Sequence, residues 1–207
     1  MNYAPVPAKT EKVVQPGEFV FAASHFDHGH IYGQIGGLAR AGGVLKYIYE
    51  PEASRYQNVL EENPGCEVVD DFQRILDDPD VQLVTTAAIP NLRCGLGLRA
   101  MDAGKDYFTD KSPFTTLEQL ESAREAVART GKKYMVGYSE RLMVESAWYA
   151  GELIEQGAIG EVLRITNFAP HNLAKDTRPD WFFEKDKYGG ILTDIGSHQF
   201  EQFLHYA

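Results

Sequence analysis

The segment Tyr188-Gly189-Gly190-Ile191-Leu192-Thr193-Asp194-Ile195-Gly196-Ser197-His198 holds the residue types best suited to proton chemistry. Continued as one helix through Phe203, it sets Asp194 and His198 four residues apart on one face and Ile195 and Phe203 on another. A carboxylate beside an imidazole orients the ring or raises its pKa, leaving His198 able to exchange a proton near neutral pH. The plainer alternative is a surface charge pair. Two glycines just before the segment, and Gly196 inside it, cost helix stability and predict close packing against a neighbour.

A second group lies in Ser24-His25-Phe26-Asp27-His28-Gly29-His30. His25, Asp27, His28 and His30 put four imidazole or carboxylate ligands within six residues, the set on which a metal-dependent hydrolase stands as a lesser alternative. All would have to converge about 2 Å from one ion, and their order matches no metalloprotease motif, so no metal site is expected. Glu50 closes an apolar run, where a carboxylate accepts hydrogen bonds from the ribose of NAD and repels the extra phosphate of NADP. Its plainer role is a solvated acid opening the next helix.

The elements that must position these residues alternate short apolar runs with helix-period stretches, the pattern of repeated βαβ units and a mostly parallel, buried sheet. Strands are expected at Phe19–Ala23, Val44–Tyr49, Glu67–Val69, Val81–Ala87, Asp106–Thr109 and Tyr134–Val136. Helices are expected at Ile31–Ala41, Glu52–Glu62, Asp71–Leu76 and Leu92–Ala103. Another is opened by a Thr115/Glu118 capping box and closed by Gly131. A helix over Leu142–Gln156 and a strand over Val162–Phe168 follow. The fold class is α/β: a doubly wound, Rossmann-like parallel sheet, then the beginning of an α+β substrate domain. Its parts are a lead-in over 1–17, a dinucleotide-binding domain over 18–138 and the start of a C-terminal domain over 139–207. In such sheets ligands bind outside the carboxyl ends of the strands, at Ser24 to Gly29, Glu50-Pro51, Ala88 to Asn91 and Asp110 to Pro113. The first of these turns lacks the G-x-G-x-x-G fingerprint, although a pyrophosphate needs only free amides and the dipole at a helix start.

Composition narrows the partners. Of 207 residues 43% are hydrophobic and 24% charged, with no apolar run near the ~20 residues of a membrane span. A net charge of -10 repels a phosphate backbone, so neither nucleic acid nor membrane is expected. Cys66 and Cys94 form no CxxC pair, which fits a reducing cytoplasm, and the N-terminus has no apolar secretory stretch.

The glycine pair with Asp194, Gly196 and His198 resembles the G-G-x-x-x-D-x-G-x-H signature of the Gfo/Idh/MocA family of NAD(P)-dependent oxidoreductases. Ala88-Ile89-Pro90-Asn91 resembles that family's loop after the fourth strand, and Ala103-Gly104-Lys105 through Asp110-Lys111 its A-G-K...E-K-P segment. Ser112 replaces the proline, and Arg93 stands where histidine is common. The resemblance implies hydride transfer between a nicotinamide and a hydroxyl-bearing carbon of a sugar, inositol or related polyol. Lys111, Asp194 and His198 are its catalytic residues. Ser24, His25, Asp27, His28, Gly29, Glu50, Ala88, Pro90, Asn91, Asp110 and Lys111 face an NAD cofactor, with NADP the lesser alternative. Trp181 and Tyr188 line the substrate side, though such rings often simply pack. NAD-using glycosidases and non-catalytic dinucleotide-binding regulators of the same family are the rival functions. Fuller members form homo-oligomers through a large second sheet. The chain's end at Ala207 therefore implies a partial chain with an uncovered apolar face, prone to associate.

Overall fold

The computed structural model describes residues 12–15 and 17–207, so the lead-in expected over 1–17 lies largely outside the described residues. Six parallel strands form one sheet: β1 (Val20–Ser24), β2 (Val44–Tyr49), β3 (Glu67–Val68), β4 (Leu83–Thr86), β5 (Asp106–Asp110) and β6 (Tyr134–Gly137). They pair in the order β3-β2-β1-β4-β5-β6, the doubly wound arrangement, with its reversal between β1 and β4. The crossovers are α1 (His30–Arg40), α2 (Gln57–Glu62), α3 (Phe72–Asp77), α4 (Pro90–Asp102) and α5 (Leu117–Thr130).

The sheet is covered on both faces, which is why its strands show no polar alternation. In β1, Phe21 and Ala23 pack with Ile31, Ile35, Leu45 and Ile48, while Ala22 between them packs with Phe72, Ile75, Val84, Ala100 and Tyr107. The turn after α1 needs Gly42 at φ +106°, since a Cβ there would sit 2.2 Å from the Val14 carbonyl oxygen. Gly97 lets α4 approach β5 and β6: a Cβ would meet Tyr134 at 2.5 Å and Tyr107 at 2.7 Å.

Several expected elements differ. The helix expected over Glu52–Glu62 is a 3-10 turn, Ala53–Arg55, then α2, parted at Tyr56 where φ is -123°. The capping box falls one residue later than expected. Thr116 is the N-cap and accepts from the Gln119 amide at 3.2 Å, while Gln119 Oε1 accepts from the Thr115 amide at 2.8 Å. Beyond β6 the helix expected over Leu142–Gln156 is two, α6 (Ser139–Leu142) and α7 (Glu145–Glu155). No strand forms over Val162–Phe168. Nothing among the described residues pairs with it, and Leu163 and Phe168 are 87% and 90% exposed. A β-prone run without a ladder partner stays irregular. The chain then runs through α8 (Lys185–Tyr188), α9 (Ile191–Asp194) and α10 (Gly196–Tyr206). The last two share Ile195, whose backbone remains helical, so the signature segment is nearly one helix as expected. No helix among the described residues is long and apolar enough to cross a membrane.

Candidate active site

The carboxyl ends of β1, β4 and β5 converge, and a single buried side chain ties two of their loops together. Arg93, on the first turns of α4, is 1% exposed. Its Nε donates to the Ala88 carbonyl at 2.6 Å and its Nη1 to the carbonyls of Lys111 and, at 3.1 Å, Ser112. Nη2 reaches Asp110 Oδ2 at 3.4 Å. Five donors in a rigid fork suit this task, which a histidine could not perform in the same way. Arg93 registered in the sequence only as a departure from a pattern; its burial and its carbonyl partners appear only in three dimensions.

The loop so fixed carries Lys111. Its Nζ donates to Asp194 Oδ1, an ion pair between the sheet edge and α9 with both side chains buried. Asp194 therefore pairs with Lys111 and not with His198, which corrects the expected carboxylate–imidazole pair. His198 is buried beside Tyr138, ring centroids 6.0 Å apart. Burial pushes its pKa below the ordinary 6.5, outweighing the upward pull of the Glu140 charge; Lys111 pushes it further down. The expectation that Asp194 raises it is overturned. A neutral buried imidazole results, a proton acceptor near neutral pH. Four buried polar atoms around this loop lack partners among the described residues: Asp194 Oδ2, His198 Nδ1, Ser112 Oγ and Asn91 Oδ1. Buried polar groups are normally satisfied, so these four stay open to hydrogen bonds from a bound ligand.

The first turn keeps the backbone shape of a glycine loop without the glycines. His25 takes φ +55°, the left-handed conformation glycine usually supplies, with Ser24 Oγ 3.0 Å from its Nδ1. Its ring packs against Tyr49 and Phe72 at 5.3 and 5.5 Å. Asp27 binds Arg55 at 3.2 Å and the Ile89 amide at 3.3 Å. His28 and His30 turn to Asp110, with Nδ1 atoms 3.3 and 2.8 Å from its two oxygens. Of the four candidate ligands of the turn, His28 and His30 thus converge on Asp110, while His25 and Asp27 turn to other partners. Burial lowers the pKa of His28 to about 4 against the pull of Asp110, so this ring is neutral. Asp110 is buried, which by itself raises its pKa, yet the hydrogen bond with His30 and the Arg93 charge bring it down to about 2. A Cβ on Gly29, the N-cap of α1, would meet nothing within 4 Å, so the helix start is open there.

Glu50 is buried rather than solvated. Its Oε2 accepts from the Phe26 amide at 2.8 Å and its Oε1 from the Glu52 amide at 3.0 Å, and Arg55 lies 3.6 Å away. It thereby joins the end of β2 to the first turn. Pro90 opens α4, and the Asn91 carbonyl accepts from Gln119 at 2.9 Å. Trp181 lies 6.4 Å from His28, ring to ring, whereas Tyr188 packs on Phe182 at 5.1 Å.

Comparison with known proteins gives the family and the fold. The model of the oxidoreductase family with an NAD-binding Rossmann fold matches residues 30–138, and that of the Gfo/Idh/MocA C-terminal domain matches 148–207. D-xylose dehydrogenase of Paenarthrobacter nicotinovorans is 28% identical over 155 residues, 70% of this chain and 38% of its own length. Scyllo-inositol 2-dehydrogenase (NADP(+)) of Bacillus subtilis is 26% identical over 152 residues, 73% of this chain and 42% of its own. A protein of Erwinia carotovora atroseptica solved by crystallography is 39% identical with a TM-score of 0.81, covering 91% of this chain and 56% of that one. Levoglucosan dehydrogenase in complex with NADH and levoglucosan has the same fold, at 22% identity and a TM-score of 0.75 over 91% of this chain and 54% of that one. The chain spans less than half the length of the first two relatives.

Proposed function

The chain belongs to the Gfo/Idh/MocA family of oxidoreductases, and from that premise we propose that it serves hydride transfer between a nicotinamide dinucleotide and a hydroxyl-bearing carbon of a sugar, inositol or related polyol. One observation carries the reading: a buried Lys111–Asp194 pair beside a neutral His198 whose Nδ1 is unpartnered. The names of the relatives, dehydrogenases acting on xylose and scyllo-inositol, support the substrate class. We read residues 18–138 as the dinucleotide-binding unit and 139–207 as the start of the substrate unit, with a homo-oligomer as the form of the whole protein.

The residues present fit a dinucleotide along the sheet edge. Glu50 and Arg55 lie at the end of β2, where the ribose of the adenosine would rest. The open start of α1 at Gly29 suits the diphosphate, and the unpartnered Asn91 Oδ1 suits the nicotinamide half. Glu50 favours NAD over NADP by like-charge repulsion of the second phosphate. When bound, the nicotinamide supplies the hydride acceptor. His198 takes the proton of the reacting hydroxyl at a ring nitrogen. Lys111, its charge held by Asp194, donates to the same oxygen and steadies it as the proton leaves. Burial of all three keeps water from competing. Trp181 borders the substrate side, and Tyr188 supports it through Phe182.

Screening sugars and polyols with NAD, followed by variant kinetics, tests the reading. His198→Asn should lower turnover by about 10²- to 10⁴-fold, the range of a positioned general base, with little change in cofactor affinity. Lys111→Met should likewise reduce turnover more than NAD binding. Near-normal turnover in His198→Asn would remove this mechanism.

A further inference from the structure

We propose that His28, His30 and Asp110 form a binding site for a divalent first-row transition ion of the zinc or cobalt kind. Their ligand atoms all lie within 4.8 Å of one another, two from the turn before α1 and one from the end of β5. This is a different set from the run of ligands in the turn alone: Asp27 is taken by Arg55 and His25 by its aromatic neighbours.

Both imidazoles of the trio turn a ring nitrogen to the carboxylate. His28 Nδ1 accepts the backbone N–H of His30 at 3.3 Å, which requires a lone pair on that nitrogen. The same Nδ1 faces Asp110 Oδ2 at 3.3 Å, so two lone-pair atoms confront each other. Moving the ring proton to Nδ1 would satisfy Asp110 and leave the His30 amide without its acceptor. A cation between the imidazoles and the carboxylate would take the facing lone pairs in place of a ring proton, leaving the His30 amide among the helix-start amides that have no intrahelical partner. Two nitrogens and one oxygen are the borderline donor set of such ions, and three protein ligands leave positions for water or for an oxygen of whatever the cleft binds.

The surroundings have the character of a ligand-supporting shell. Asp110, 1% exposed, is braced by Arg93 at 3.4 Å, and ligating carboxylates are themselves normally hydrogen-bonded. The two nearest cations are already engaged, Arg93 by three carbonyls and Lys111 by Asp194. The His30 side chain, 39% exposed, gives an ion a path from solvent. The site does not depend on the oxidoreductase reading.

Titration of the chelator-treated chain with Co²⁺, followed by visible absorption, tests the proposal, with Zn²⁺ displacement read by calorimetry. One Co²⁺ per chain is expected, displaced by Zn²⁺. His28→Gln and His30→Gln should each weaken binding by about tenfold or more. His171→Gln, whose ring pairs with Glu140 at 3.0 Å, should bind as the unaltered chain does. Should a variant fail to fold, the unaltered chain still decides: Zn²⁺ should raise its Tm. Absence of saturable Co²⁺ binding, no rise in Tm at excess Zn²⁺, or equal affinity in folded His28→Gln and His30→Gln variants would overturn the site.

Discussion

His198 accepts a proton only while its ring is neutral, and burial extends that condition to more acidic pH. Because its pKa lies below 6.5, kcat/KM should hold from neutral pH down and fall as pH drops through that lowered value. Glu140 is the largest charge pulling the pKa up, so Glu140→Gln should move the acid limb to still lower pH; a pH–rate profile of both proteins checks this. A limb at or above 6.5, or a shift upward, would contradict the assignment. At this scale much of the site was legible. Asp194 and His198 stand in one spaced signature and Lys111 in a separate motif, and the structure joins Lys111 to Asp194. Arg93 and the partners of Asp110 were not legible, because their meaning rests on contacts between segments 17 to 80 residues apart. The burial of Glu50 was not legible for the same reason: its neighbour is the Phe26 amide, 24 positions away.

An element is readable in sequence when its own periodicity decides it, and the six strands of the sheet were, to within one or two residues at most ends. The central strands β1 and β4, buried along nearly their whole length, read Val-Phe-Ala-Ala-Ser and Leu-Val-Thr-Thr, runs that no helix period matches. Val162–Phe168 has comparable residues but no edge to pair with among the described residues, and a strand is a property of two chains of hydrogen bonds. The capping box slipped by one position because Thr115 and Thr116 are both competent caps, and Gln119 serves both. Helix contacts through missing side chains are equally invisible to periodicity. Gly97→Ala should push α4 off Tyr107 and Tyr134 and cost about 1–3 kcal/mol, measured by denaturant unfolding. An unchanged midpoint would show that the tyrosines yield freely.

The molecule as a whole joins a sheet whose pairings, β1 with β4 excepted, are between strands successive in sequence to a set of late helices by a few distant contacts. The pairs β4–β5 and β5–β6 link successive βαβ units, whereas Lys111 and Asp194 are 83 positions apart. Arg141 with Glu201, 60 positions apart, is a second such contact, made by α10. The Lys111–Asp194 bridge thus has a place in time as well as in space. Closing so long a loop is costly until the sheet exists to anchor one end, so the bridge belongs after the main folding barrier. Asp194→Ala should leave the refolding rate nearly unchanged and speed unfolding, since a contact absent from the transition state governs only the rate of escape from the native state. Stopped-flow chevrons would show it as a shift confined to the unfolding arm, and a matching slowdown of refolding would place the bridge in the nucleus. The pair read above as catalytic would then also be the latch whose release begins the loss of the native state.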